Sequence, residues 1–94
     1  MSNTMVIYKY PFEIKDKVLL DLPKGAKILR VAVQNETPCI WALVNADAPR
    51  ELRGFRIYGT EHRIGPEAGA YVATFNQGPY VWHLFEQKQP IENT

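Results

Sequence analysis

The chain has one cysteine, Cys39, and two histidines, His62 and His83, that lie far apart in sequence. A lone thiol closes no intramolecular disulfide, and one Cys with two distant His residues lacks the spacing of a zinc site, so neither a crosslink nor a structural metal is expected. No apolar run approaches the roughly 20 residues that a membrane helix needs. The opening stretch "MSNTMVIYKYPFEIKDK" also lacks the basic-then-apolar layout of a secretory leader. Together these absences lead to the expectation of a cytoplasmic protein that stays off the membrane. A net charge of +1 supplies no global field to draw the chain onto nucleic acid. Internal repeats and low-complexity segments are missing as well.

What is present is an ordinary globular composition, 46% apolar over 94 residues, enough to bury one small core but not two. A single domain is expected over 1–94, folded over 5–86, with the polar tail "QKQPIENT" (87–94) fraying. Turn formers punctuate the chain at close intervals: Pro11, Pro23 with Gly25, Asn35 to Pro38, Asn45 to Pro49, Gly54, Gly59, Gly65 with Pro66, Gly69, and Gly78 with Pro79. Between them lie short runs rich in Val, Ile, Tyr, Phe and Trp, which suit a pleated, half-buried surface. The expected fold is all-β, an antiparallel sandwich or barrel of about seven strands. Strands are expected at 5–10, 13–22, 26–34, 38–45, 54–59, 70–76 and 80–86. The one helical candidate is "APRELRG" (48–54), a single turn with Pro49 at its start and Gly54 at its end.

Alternation assigns faces. Val6, Tyr8 and Tyr10 share one side of the first strand, Leu29, Val31 and Val33 one side of the third, and both sets are expected to point inward. In "CIWALV" both alternating sets are apolar, so this strand is expected to be covered on both sides, by another segment or by a second copy. Trp41 is accordingly expected to be largely buried, and "YVWHLFE" shows the same property more weakly. This two-sided surface predicts a homo-oligomer.

No catalytic constellation is visible. Cys39 sits among apolar neighbours with no base beside it, which is the setting of a buried, inert thiol. His83 alternates with Val81 and Phe85 and reads as a satisfied, half-buried group. Without interleaved basic residues the aromatics read as core and rim, which argues against a nucleic-acid platform. "LPKGAK" lacks the glycines and following helix of a phosphate loop, no cofactor motif is present, and the chain is read as non-enzymatic.

The informative stretch is "FRIYGTEHR". Arg56 and Tyr58 leave one face of a strand, Gly59 turns the chain, and Thr60, His62 and Arg63 follow on a loop, where function concentrates. These five residues are expected to line a pocket for a small anionic ligand such as a phosphate or a nucleotide-like group, with Glu61 opposing it electrostatically. Arg30 is a further candidate, able to join Arg56 in an anion-binding patch if their strands are adjacent.

The succession "YKYPFEIKDKVLLDLPKGAKILRVAVQNETPCIWALVNADAP", "FRIYGTEHRI", "YVATF" and "VWHLFE" resembles a family of small proteins encoded mostly in bacteriophage and prophage genomes and described as a domain of unknown function. The resemblance runs over about Met5 to Glu86, with the blocks in order. It implies a phage accessory protein made in the host bacterial cytoplasm. In relatives the stretch matching Gly59–His62 is similar to Gly-Thr-Gly-His, so Gly59, Thr60 and His62 match and Glu61 departs. A side chain at that place works against a left-handed backbone angle. Two functions follow as expectations: a non-catalytic anti-defence protein that inhibits a host protein or sequesters a small host-made signal, and alternatively a minor virion or assembly component.

Overall fold

The computed structural model of the chain describes residues 4–88. In chain order the strands are β1 (Met5–Pro11), β2 (Lys17–Pro23), β3 (Lys27–Gln34), β4 (Thr37–Asn45), β5 (Arg50–Gly59), β6 (Ala70–Gln77) and β7 (Tyr80–Glu86). Two antiparallel sheets result, one ordered β1-β4-β3 and the other β2-β5-β7-β6, with β3 lying against β6 across the sandwich. The all-β expectation of seven strands is met. Residues beyond Lys88 lie outside the described residues, so of the expected tail only its start is seen, with Gln87 N–H donating to the Gly54 carbonyl at 2.9 Å.

Local chemistry fixes the hairpins. Asn35 (φ 51°) and Glu36 (φ 67°) stand between the paired residues Gln34 and Thr37, the two positive angles of a type I′ turn whose twist matches its strands. Gly78 (φ 55°) and Pro79 join the paired residues Gln77 and Tyr80, a positive angle at the first position only, as in type II′.

The helical turn expected over 48–54 does not form. From Arg50 onward this segment is β5, paired with β2 from Pro23↔Arg50 to Lys17↔Arg56. Its Ala, Glu, Leu and Arg favour a helix only weakly, and sheet pairing outweighs that preference. The only helical turn among the described residues is the 3₁₀ turn Pro66–Ala68, where Pro66 begins a turn that needs no N–H from it. Gly69 then follows at φ 90°, and a side chain there would collide with the Glu86 carbonyl.

The core is built from the inner rows: Ile40, Ala42 and Val44 of β4, Val18 and Leu22 of β2, Phe55 and Ile57 of β5, with Phe75 and Leu84. Phe12, on the crossing from β1 to β2, closes it with its ring edge-on to Phe75 at 5.9 Å. Trp41 is not part of it. The inner row of β4 is the even-numbered one, so Trp41 and Leu43 face outward and are half-buried, and among the described residues no strand covers that side. The expected inward set on β3 is also revised. A bulge between Ile28 and Arg30 inserts one residue, so Ile28, Val31 and Val33 pack on the core while Leu29 is 46% exposed. Val6 and Tyr10 pack on the core as expected, whereas Tyr8 stays 43% exposed on the edge strand β1.

Phe55→Ala should therefore destabilise by about 3–5 kcal/mol, and Trp41→Ala by only about 1–2 kcal/mol, in proportion to its partial burial; urea unfolding of both variants measures the difference. Tyr10 provides a second test. Its hydroxyl is buried without a partner among the described residues, and burial, the largest influence, raises its pKa. A folded-state pKa above the unfolded one favours the native state below the unfolded value, about 10, and that stability is lost as pH rises through the folded value. Tyr10→Phe should stabilise by about 1 kcal/mol near neutrality and flatten the alkaline end of the stability–pH curve.

Candidate functional site

β5 and β7 run side by side with Tyr58↔His83 and Gly59↔Trp82 as partners, and β6 sets Thr74 opposite His83 on the other side. This register draws a row of polar side chains across the outer face of the four-stranded sheet. His83 is held at both ring nitrogens, Nε2 to Thr60 Oγ1 and Nδ1 to Thr74 Oγ1, each at 2.9 Å. Thr74 Oγ1 in turn meets Tyr71 Oη at 2.7 Å. Beside the row runs an aromatic stripe in which Phe85 meets Tyr58 and Tyr71 edge-on, both at 5.6 Å. His83 is thus the satisfied, half-buried group that its neighbours in sequence suggest.

Where β5 ends, the chain folds back through Gly59–His62. His62 N–H donates to the Gly59 carbonyl at 3.2 Å, and Glu61 at the third position has φ 74°, the positive angle that a type II turn requires there and that glycine or asparagine usually supplies. Glu61 therefore holds the left-handed angle that its side chain works against. Gly59 N–H donates back to His62 Nδ1 at 3.1 Å, so the neutral imidazole carries its proton on Nε2. The ring lies against Gly59, close enough that a Cβ there would sit 3.0 Å from Cε1.

This turn and the β6–β7 hairpin enclose an open depression of about 520 Å³, with Gly59, Thr60 and His62 on one side and Tyr80, Val81 and Trp82 on the other. Tyr80 and Trp82 stack at 5.9 Å with 29° between their planes, and Tyr80 is 61% exposed. The Trp82 indole N–H is buried with no partner among the described residues. Such an orphan donor costs about 1–3 kcal/mol.

Of the six residues singled out in the sequence, Thr60 and His62 line this depression. Arg56 and Tyr58 stand on the outer face of β5, where Arg56 Nε and Tyr58 Oη are buried without partners among the described residues. Arg63 is exposed on the following loop. Arg30 belongs to β3 in the opposite sheet, so the Arg30–Arg56 patch does not form. Tyr80 and Trp82 carry no site signal in the sequence beyond the Gly78-Pro79 hairpin that brings them to Gly59.

Cys39 is buried, its thiol donating to the Thr37 carbonyl at 3.4 Å. Among the described residues no group of three or more His, Cys, Asp and Glu is arranged to hold a metal ion, and no helix is long and apolar enough to cross a membrane.

The model of a domain of unknown function, DUF7352, matches residues 3–94. The chain belongs to this DUF7352 family. No curated protein and no solved structure matches it. For this DUF7352 domain the left-handed Glu61 offers a direct test. Removing the Cβ relieves about 1–2 kcal/mol, partly offset by the backbone entropy of glycine, about 0.5–1 kcal/mol. Glu61→Gly should therefore raise stability by up to about 1.5 kcal/mol, read by thermal denaturation, whereas Glu61→Val should lower it.

Proposed function

We propose that the protein is a non-catalytic binding protein whose ligand is a small, planar, anionic molecule of the nucleotide type, held in the depression between the Gly59–His62 turn and the Tyr80–Trp82 stack. The observation that carries this reading is the pairing of a donor with an aromatic wall: the Nε2–H that the bond from Gly59 leaves on the exposed His62, beside the stacked rings of Tyr80 and Trp82. A phosphate or carbonyl oxygen satisfies such a donor, and a base or other flat ring stacks on an exposed tyrosine. Thr60 is committed to His83 and acts by fixing the turn. His83 itself is saturated by two hydroxyls, which suits scaffolding better than proton transfer.

In this reading the protein is a phage accessory protein that removes a small host-made signal from solution in the bacterial cytoplasm, and its phage origin is supported by the family resemblance of the sequence alone. The open form of the depression favours capture over turnover, because a reaction site gains from excluding water.

Calorimetry with adenosine and guanosine monophosphates, and with inorganic phosphate as control, tests the site. A nucleotide is expected to bind more tightly than phosphate. Tyr80→Ala, which removes the exposed stacking ring, should weaken it by about 10-fold, as should His62→Ala. Equal affinity in the wild type and both variants would take the depression out of consideration.

A further inference from the structure

The outer face of the three-stranded sheet plays no part in that reading, yet it is the more unusual surface. Two rows of paired residues and a bulge describe it. Lys9 and Arg30 both pair with Trp41, one from each side, so the indole is flanked across the strands by two cations. One step along, Leu43 lies between Ile7 and Lys27. The bulge adds Leu29, and with Ile7, Arg30 and Trp41 it lines an open groove of about 500 Å³. Ile7 is 54% exposed and Leu29 46%, on a face that no described strand covers. β1, β4 and β3 contribute Lys9, Lys27 and Arg30 to this side and not one carboxylate.

We infer that this face docks an acidic, amphipathic segment of another protein, with an apolar side chain of the partner in the groove beside Trp41 and its carboxylates on Lys9 and Arg30. Charge decides the occupant. A second copy brought on by a twofold axis would press the same three cations against each other with no anion between them, which costs specificity and affinity. The apolar content of β4 alone suits self-association, but its charged neighbours do not. A nucleic acid would meet the cations but would find one aromatic ring among aliphatic side chains, where single-strand binders present a series of rings along a continuous basic track. A protein segment alternating apolar and acidic residues matches both the groove and the charges. A half-buried tryptophan beside an arginine is also the composition of an interface hot spot. Lys9 is partly positioned already, donating from Nζ to Gln34 Oε1 at 2.6 Å.

The experiment is an amide-resolved NMR titration of the full chain at low salt with two synthetic peptides, each carrying a central Leu-Phe-Leu, one flanked on both sides by Asp pairs and the other by Lys pairs. The acidic peptide is expected to shift amides of β1, β3 and β4 and to bind at least ~10-fold more tightly than its basic counterpart, with affinity falling as salt rises. Trp41→Ala and Arg30→Glu should each weaken it by ~10-fold or more, the hot-spot range. Arg30 is exposed, so Arg30→Glu separates lost docking from lost folding. The inference is overturned if the acidic peptide shifts nothing at millimolar concentration, if both peptides bind alike, or if the shifts fall on other strands. It is overturned equally if oligothymidine binds these amides more tightly than the peptide, or if sedimentation equilibrium shows a dimer that Trp41→Ala dissolves. Nucleotide calorimetry at the Trp82 depression is unaffected by either outcome, so the two sites stand or fall separately.

Discussion

One buried layer of side chains holds the two sheets face to face, and the placement of every outward residue follows from it. Leu22, Ala42, Val44, Phe55 and Leu84 are wholly removed from solvent, and they come from β2, β4, β5 and β7, so each sheet contributes to the seal. Because successive side chains of a strand point to opposite sides, fixing Ala42 and Val44 inward leaves Trp41 and Leu43 no choice but the outside. Fixing Phe55 and Ile57 inward likewise sends Arg56 and Tyr58 outward. Trp41 and Leu43, which look like core by composition, are on the surface for this reason.

At the end of the sandwich opposite the depression, the layer is closed by charge. Arg53 falls on the inner side of β5, grips Glu86 through Nε at 2.6 Å and Nη2 at 2.9 Å, and donates through Nη1 to the Ala26 carbonyl. The bidentate bond to Glu86 holds the guanidinium pKa above its ordinary value, and the third bond reaches the turn that leads into β3. One side chain thus ties the four-stranded sheet to the entry of the three-stranded one. An inward arginine satisfied by a carboxylate and a carbonyl also fixes register, because a one-residue slip of β5 would turn it to the outer face and leave Glu86 without its partner.

Much of this was legible in the sequence, and the errors have definite causes. The hairpins at Asn35-Glu36 and Gly78-Pro79 announce themselves by residue type, and β7 matches its expected bounds of 80–86. Alternation failed where the backbone inserts a residue: Leu29 was expected inside and lies outside because of the bulge between Ile28 and Arg30. Both rows of β4 are apolar, and composition does not say which row is covered, so Trp41 reads as core and lies outside. The start of β5 was missed because Arg50 to Arg53 carry helix-favouring side chains, and only the long-range pairing with β2 makes them a strand. As for the candidate site, Thr60 and His62 could be chosen from the loop, but Trp82 required knowing that β7 returns beside Gly59. Arg30 and Arg56 are alike in pattern, each between apolar neighbours, but the topology assigns them to opposite sheets.

Both surfaces argued to bind are built around departures from regular backbone. The depression depends on Glu61 in a left-handed conformation, which turns the chain so that His62 folds back on Gly59 and leaves one donor free. The groove beside Trp41 depends on the β3 bulge, which carries Leu29 out of the core and into line with Ile7. A bulge interrupts the ladder, and a non-glycine residue at positive φ costs about 1–2 kcal/mol. Strain of that kind persists where the surrounding structure over-determines it, and it gathers at sites that work on something outside the fold. The regular stretches of this chain are spent on the buried layer, so it is the irregular residues that shape what the protein can touch.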